Sequence, residues 1–194
     1  KGNRADAPDD LVPQFEYIRK SVLAFNLPSI ELINYEADDL IATYSEQILN
    51  AGGKVTIISS DKDLMQLYKK NIRIYDPMKH KFIKQEDIDN KFGVKPEQII
   101  DVQALAGDSS DNVPGVPGIG IKTAAELINK YGNLDNLLKN VHEIKQNKRR
   151  ETLLENKDKA IISKKLVTLK KDVPVKENID NFLLKEIDKQ KLYN

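Results

Sequence analysis

The chain has 194 residues, with 31 Lys and Arg against 30 Asp and Glu for a formal net charge of +1, 40% hydrophobic residues and a mean hydropathy of −0.52. That is enough apolar material for one or two soluble globular domains, and the charge balance argues against a disordered polyelectrolyte and, taken over the whole chain, against a nucleic-acid binder. With no cysteine and only two histidines, His80 and His142, disulfides, thiolate sites, cysteine nucleophiles and a zinc centre are excluded, so any metal must be held by oxygen.

No run approaches the ~20 apolar residues of a membrane span, and no apolar leader opens the chain, so a cytoplasmic protein without a membrane partner is expected. The polar start KGNRADAPDD, with no initiator Met, reads as the remainder of a longer N-terminus. Leu11, Phe15, Ile18, Val22 and Phe25 recur at helical spacing behind Asp9-Asp10 and ahead of Pro28, which predicts a first amphipathic helix. Ile30 to Ile33 reads as a short strand. Ala37, Leu40, Ile41, Tyr44 and Ile48 mark a second helix over 36–50, closed by Gly52-Gly53.

Val55 to Ile58 is a β-branched run of the kind found in buried parallel strands, and it leads straight into Ser59-Ser60-Asp61. A short helix over Lys62 to Tyr68, a strand over Ile72 to Tyr75 and a turn at Asp76-Pro77 leading to Phe82-Ile83 continue an α/β rhythm. Beyond about residue 92 the strand signals stop. Helices are predicted from Pro96 through Ala106, from Thr123 to Tyr131 with Gly132 as terminator, over Leu134 to Leu138, and through the lysine-rich stretch from Arg149 to Leu169. The fold class is therefore α/β, with part of a parallel sheet and its helices over 1–92 and a helical module over 93–194.

The acidic residues gather in three groups: Glu36, Asp38 and Asp39 in YEADD, Asp61 and Asp63 in SSDKD, and Asp108 and Asp111 in GDSSDN. In an open α/β sheet the loops after the strands converge on one crevice, so these carboxylates could meet there. Each group also has an ordinary explanation. Acids at a helix N-terminus complement its dipole, worth ~0.3–1 kcal/mol, and Asp61 could simply cap the helix that follows. Against that, Glu36 and Asp39 form an i, i+3 like-charge pair, which costs stability. Crowded carboxylates need protons or cations, and with no His or Cys beside them Mg²⁺ or Mn²⁺ are the natural partners; two such ions ~3.5–4 Å apart can drive phosphodiester hydrolysis. A glycosidase reading of the acid pairs is poorer, because too many acids cluster and no Trp is present to stack a sugar.

Residues 112–125 read NVPGVPGIGIKTAA. Ile121 separates Gly120 from Lys122, so the nucleotide P-loop spacing fails, and no strand precedes the glycines, so the dinucleotide fingerprint fails too. A plain inter-helix turn remains open beside a helix-hairpin-helix over about 96–132. In the latter, Gly115, Gly118 and Gly120 would let backbone N–H groups approach a phosphate while Lys122 and Thr123 open the second helix.

Taken together, YEADD, SSDKDLMQL and LAGDSSDNVPGVPGIGIKTAAELI resemble the 5′-nuclease family, which is flap endonuclease-like, and within it the 5′→3′ exonuclease domain of bacterial DNA polymerase I. The resemblance runs from Lys1 to about Thr168. It implies a PIN-like sheet, a metal-dependent hydrolase acting on 5′ ends and flaps of DNA and on RNA primers, and an attached polymerase domain in the parent. Carried over, it places Glu36, Asp38, Asp39, Asp61, Asp63, Asp108 and Asp111 as catalytic ligands of two Mg²⁺ or Mn²⁺ ions, Glu36 and Asp38 near the first and Asp61, Asp63, Asp108 and Asp111 mainly around the second. It makes the hairpin from Gly115 to Ala125 a duplex grip that holds a K⁺, and it puts Lys1 and Arg4 near the scissile phosphate. The family domain begins with a further strand and further acids that do not occur here before Lys1, so this polypeptide alone is expected to be weakly active or inactive. A monomer on the bacterial nucleoid is the expected form.

The reading from another class is a non-catalytic, structure-specific DNA-binding module with vestigial acids. Among the other candidates, Lys62 reads as a solvated helix residue before a phosphate contact, Tyr35 as packing before base stacking, and KQNKRR over 145–150 as a solvated face before a phosphate track. His80 and His142 are given no role. The net charge of +1 hides an asymmetry: residues 1–111 hold 14 basic and 19 acidic side chains, net −5, and residues 112–194 hold 17 and 11, net +6. With the seven proposed ligands set aside, the first part becomes net +2, so both parts would present positive charge to DNA.

Overall fold

The computed structural model describes residues 7–193, which fall into two compact units. One holds Leu49–Leu169; the other holds the described residues up to Ile48 together with those from Lys170 onward.

In the second of these, α1 (Gln14–Ala24) follows the turn at Asp9-Asp10, and α2 (Ala37–Asn50) begins with Asp38 and Asp39 in its first turn, where their charge suits the helix dipole. The expected strand over Ile30 to Ile33 does not form. This stretch makes no ladder with any strand among the described residues, and Ile33 is 87% exposed; β-branched content alone does not make a strand without a neighbour to take its hydrogen bonds. The C-terminal segment is tied along α2. Asp39 Oδ1 accepts from the Lys170 N–H (2.8 Å), the buried Thr43 hydroxyl donates to the Lys170 carbonyl (3.3 Å) and accepts from the Val173 N–H (3.2 Å), and Tyr44 packs edge-on against Phe182 at 5.0 Å. The segment ends in α9 (Lys189–Tyr193), where the Asp188 N–H donates to the Ala24 carbonyl at the end of α1 (2.9 Å).

The other unit starts from a three-stranded sheet. Gly52, at φ 79, ends α2 in the left-handed conformation, and β1 (Val55–Ile58) then pairs in parallel with β2 (Ile72–Asp76), Val55 facing Ile72 and Ile58 facing Tyr75. The predicted helix between them is a 3₁₀ helix over Asp63–Leu67 with Leu64, Met65 and Leu67 buried. Asp76 turns the chain: its Oδ1 accepts from the Met78 and Lys79 N–H groups, and β3 (Lys81–Phe82) returns antiparallel to β2. His80, exposed and at φ 51, belongs to this turn.

From there the unit is helical: α3 (Gln85–Phe92), α4 (Ile99–Ala106), α5 (Ile121–Tyr131), α6 (Leu134–Lys139), α7 (Asn147–Glu155) and α8 (Lys157–Val167). Pro96 opens one 3₁₀ turn that runs into α4, close to the expected start. The apolar centre forms around Phe92, Ile99, Val102, Leu105, Ile128 and Leu153, each buried to within about a hundredth of full exposure. Helix α4 sits in the middle, packed against α5 and α8. Its polar residues are therefore buried with it and must find partners: Asp101 pairs with Lys164 of α8 at 2.9 Å, and Lys164 also reaches Asp135 at 3.1 Å. No helix among the described residues is long and apolar enough to cross a membrane.

Candidate metal centre and nucleic-acid interface

Two loops build the acidic centre, each by a local rule. After β1 the Ser59 N–H makes a last bond to the Tyr75 carbonyl of β2 (3.0 Å), and the chain then leaves the sheet. The Asp61 N–H donates to Ser59 Oγ and Asp61 Oδ1 accepts from the Asp63 N–H (both 3.0 Å), so Asp61, itself exposed, makes an Asx turn that leads the chain into the 3₁₀ helix, whose N-cap is Lys62. Asp63 is thereby turned toward α4. After α4, Gly107 at φ 72 redirects the chain into a loop closed by a pair of backbone bonds, Asp108 N–H to Val113 carbonyl (2.9 Å) and Val113 N–H to Asp108 carbonyl (2.8 Å). Within it, Asp108 Oδ1 accepts from the Ser110 N–H at 2.9 Å, an Asx turn that fixes the buried carboxylate.

Carboxylate oxygens of Asp63, Asp108 and Asp111 lie within 4.8 Å of one another. Of the seven carboxylates singled out in the sequence, the structure brings these three together. Asp61 stands beside them, its carboxylate holding the Asp63 N–H. Glu36, exposed, and Asp38 and Asp39, half-buried, lie at the N-terminus of α2 in the other unit.

Two further residues complete the centre, neither assigned to it from the sequence. Gln103, buried in α4, donates from Nε2 to Asp63 Oδ1 at 2.6 Å, while its Oε1 is buried and has no hydrogen-bond partner. A polar residue among the apolar neighbours of DVQALA was the available signal. Lys62, expected as a solvated helix residue, instead places its ammonium on Asp108 Oδ2, with its side chain only 38% exposed. The electrostatics follow. Burial pushes the Asp63 carboxyl above its ordinary value, and the nearby Asp61 and Asp108 charges add to this, against the opposing Gln103 hydrogen bond. Burial acts the same way on Asp108, but there the Lys62 ammonium and the Ser110 and Asp111 N–H groups outweigh it and hold the carboxyl below its ordinary value. Three oxygen-donating carboxylates, one of them reluctant to ionise and one already bound to a cation, suit a hard divalent ion.

The same loop runs directly into the hairpin. Gly115 is buried: a Cβ there would lie 2.5 Å from the Gly107 nitrogen, and its N–H donates to Ser163 Oγ of α8 at 2.9 Å. Its amide is therefore spent inside the fold, and it differs in this from the other two glycines. Gly118 (φ 73) and Gly120 are exposed, with nothing within 4 Å of where a Cβ would stand. Gly120 precedes α5 and offers no side-chain cap, and Lys122, exposed, and Thr123, half-buried, occupy the first turn. This leaves a helix N-terminus with open backbone amides beside a lysine, suited to an anionic oxygen. Beside the hairpin, Pro117, Gly118 and Ile119 border a partly open cavity of about 290 Å³ that is lined on its other side by Lys148, Arg149 and Thr152 of α7. Tyr35 is half-buried and His142 is exposed. Lys1 and Arg4 lie outside the described residues.

Residues 1–93 match the family described as 5′-3′ exonuclease, N-terminal resolvase-like domain, and residues 94–190 match 5′-3′ exonuclease, C-terminal SAM fold. The chain is 54% identical over 192 residues to DNA polymerase I of Rhizobium leguminosarum, covering 99% of this chain and 19% of that protein. It is 38% identical over 192 residues to the 5′-3′ exonuclease of Buchnera aphidicola, covering 96% of this chain and 67% of that protein. Among solved structures it resembles the T5 5′-exonuclease with divalent zinc ions bound, at a TM-score of 0.76 and 25% identity over 87% of this chain and 64% of that one. The chain thus spans about a fifth of the length of the polymerase I relatives and about two thirds of the free-standing exonuclease. Both halves of the sequence and the fold agree: the chain belongs to the 5′-3′ exonuclease family.

Proposed function

We propose that this chain carries the metal-binding and DNA-gripping parts of a structure-specific 5′ nuclease. The reaction is hydrolysis of DNA phosphodiesters at 5′ ends and flaps, as needed to remove flaps and RNA primers in replication and repair. The observation that carries the reading is the stretch from Gly107 to Gly120. Its first part sets Asp108 and Asp111 beside Asp63, and its last part forms the exposed hairpin, so acids and hairpin belong to one short run of backbone. That is the arrangement a hydrolase needs if the duplex it holds is to lie at a fixed distance from the bond it cuts.

Asp63, Asp108 and Asp111 would hold one Mg²⁺ or Mn²⁺, with Asp61 beside them; Glu36, Asp38 and Asp39 would serve the other. When bound, two such ions supply an activated water and neutralise charge at the scissile phosphate. The chain's own residues prepare the ground. Gln103 aims Asp63, the Asx turn at Ser110 fixes Asp108, and Gly118, Gly120, Lys122 and Thr123 grip backbone phosphate without reading bases. Hairpin carbonyls would hold the K⁺, Gly115 would serve the grip by packing, and Lys1 and Arg4 would reach toward the scissile phosphate. In domain terms, residues 1–92 supply the nuclease core and 93–194 the duplex-binding module. The partner is branched or nicked DNA on the bacterial nucleoid, met as a monomer, with a polymerase domain in the same polypeptide in relatives named DNA polymerase I.

The test is a 5′-flap duplex incubated with the chain and Mg²⁺ or Mn²⁺, beside an Asp111→Asn variant. Expected are weak, metal-dependent cleavage at the flap junction and its loss in the variant, with duplex binding kept. Duplex binding with no metal-dependent change in either protein would instead favour the non-catalytic DNA-binding module, and cleavage that survives chelation of the metal would contradict the reading.

A further inference from the structure

We propose that Lys62 is a built-in counter-ion for the metal centre: its ammonium occupies Asp108 in the metal-free protein and must leave before a divalent ion can bind, so that this lysine sets the metal concentration at which the centre fills. The inference rests on Asp63, Asp108 and Asp111 being metal ligands.

Three observations support it. The Asp108 side chain is 6% exposed, and a carboxylate so far from water needs a cation in direct contact; the Lys62 ammonium supplies it at Oδ2. Lys62 also stands within electrostatic range of Asp63 and Asp111, so the one positive charge serves the same three carboxylates that would share a metal ion. Finally, Lys62 has room to swing away. It precedes the 3₁₀ helix rather than packing within it, and its side chain lines an open cavity of about 740 Å³ bordered also by Asp108, Ser110, Asn112 and Gly120. An ammonium on a flexible stem can swing into that space without disturbing the core.

An ammonium seated on Asp108 Oδ2 and a divalent ion drawn to the same three carboxylates repel one another and compete for the same negative charge. A divalent ion carries twice the charge and would gain oxygen ligands from all three acids, whereas the ammonium carries one charge and pairs with Asp108, so the metal wins once its concentration is high enough. Removing the competitor should therefore strengthen metal binding, even though it removes a favourable contact from the metal-free protein. A lysine that merely shaped Asp108 for the metal would have the opposite effect.

The experiment is calorimetric titration of Mn²⁺ into the chain and into Lys62→Met and Lys62→Arg variants, with thermal melts of each at zero and saturating Mn²⁺. The proposal predicts about tenfold tighter Mn²⁺ binding by Lys62→Met. It predicts near-original affinity for Lys62→Arg, and a Tm deficit of Lys62→Met in the metal-free state that closes at saturating Mn²⁺. Unchanged or weaker Mn²⁺ binding by Lys62→Met, with the original chain binding normally, overturns the proposal while leaving the metal centre standing. No Mn²⁺ binding by the original chain overturns both.

Discussion

At Asp76 a single carboxylate closes the turn on which β3 depends. It is buried at 2% exposure, accepts N–H bonds from Met78 and Lys79 at 3.0 and 3.1 Å, and has the Lys79 ammonium 3.5 Å away. Burial alone would raise its pKa, but the two N–H bonds and Lys79 prevail and hold it below the ordinary value. A depressed carboxyl contributes stability that is present above its unfolded pKa and lost as pH falls through the folded one. Asp76→Asn should therefore melt at a lower temperature at neutral pH, with the gap to the original chain closing as pH drops below about 3.9; melting curves across pH check this, and a gap that stays constant to low pH would contradict it. Asp63 shows the opposite tendency, because burial and the neighbouring acids outweigh the Gln103 hydrogen bond and the Lys62 charge.

Among the elements, the crossing of the Gly107 and Gly115 backbones is the joint that holds the acidic loop to the hairpin. A Cβ at Gly107 would lie 2.7 Å from the Val113 carbonyl oxygen and one at Gly115 2.5 Å from the Gly107 nitrogen, and both have positive φ, so neither position tolerates a side chain. The joint is fastened from outside by Ser163 of α8, which is fully buried and accepts the Gly115 N–H. Ser163→Ala leaves that donor buried without a partner and should cost ~1–3 kcal/mol, read from urea unfolding, whereas Gly115→Ala should cost more than ~2 kcal/mol through strain and clash together. A Ser163→Ala variant as stable as the original chain would show that the amide finds another partner. The α2 helix, the β1–β2 pair and the helices flanking the hairpin were legible in the sequence because periodicity, Gly52 and Pro96 act over a few residues. The strand read at Ile30 to Ile33 was not real, because a strand is defined by a neighbour and local composition does not supply one.

For the molecule as a whole, what could be read depended on sequence separation. Asp108 and Asp111 lie in one loop whose turn chemistry is local, and their meeting with Asp63 followed from where loops gather in an α/β sheet. Gln103 to Asp63, Lys62 to Asp108 and Gly115 to Ser163 join residues about 40 to 50 positions apart through packing that no spacing rule encodes, and all three pass through or beside α4. The near-neutral charge was the other misleading feature, since it sums an acidic stretch of net −5 and a basic one of net +6. The divalent-metal centre proposed for Asp63, Asp108 and Asp111 is tested by calorimetric Mn²⁺ affinity of the chain and of Asp63→Asn, Asp108→Asn and Asp111→Asn. Expected are Mn²⁺ binding by the original chain and a loss of about tenfold or more in each variant, with Glu97→Gln, a change at a surface acid outside the cluster, leaving affinity unaffected; equal affinity across all five proteins would rule out this centre.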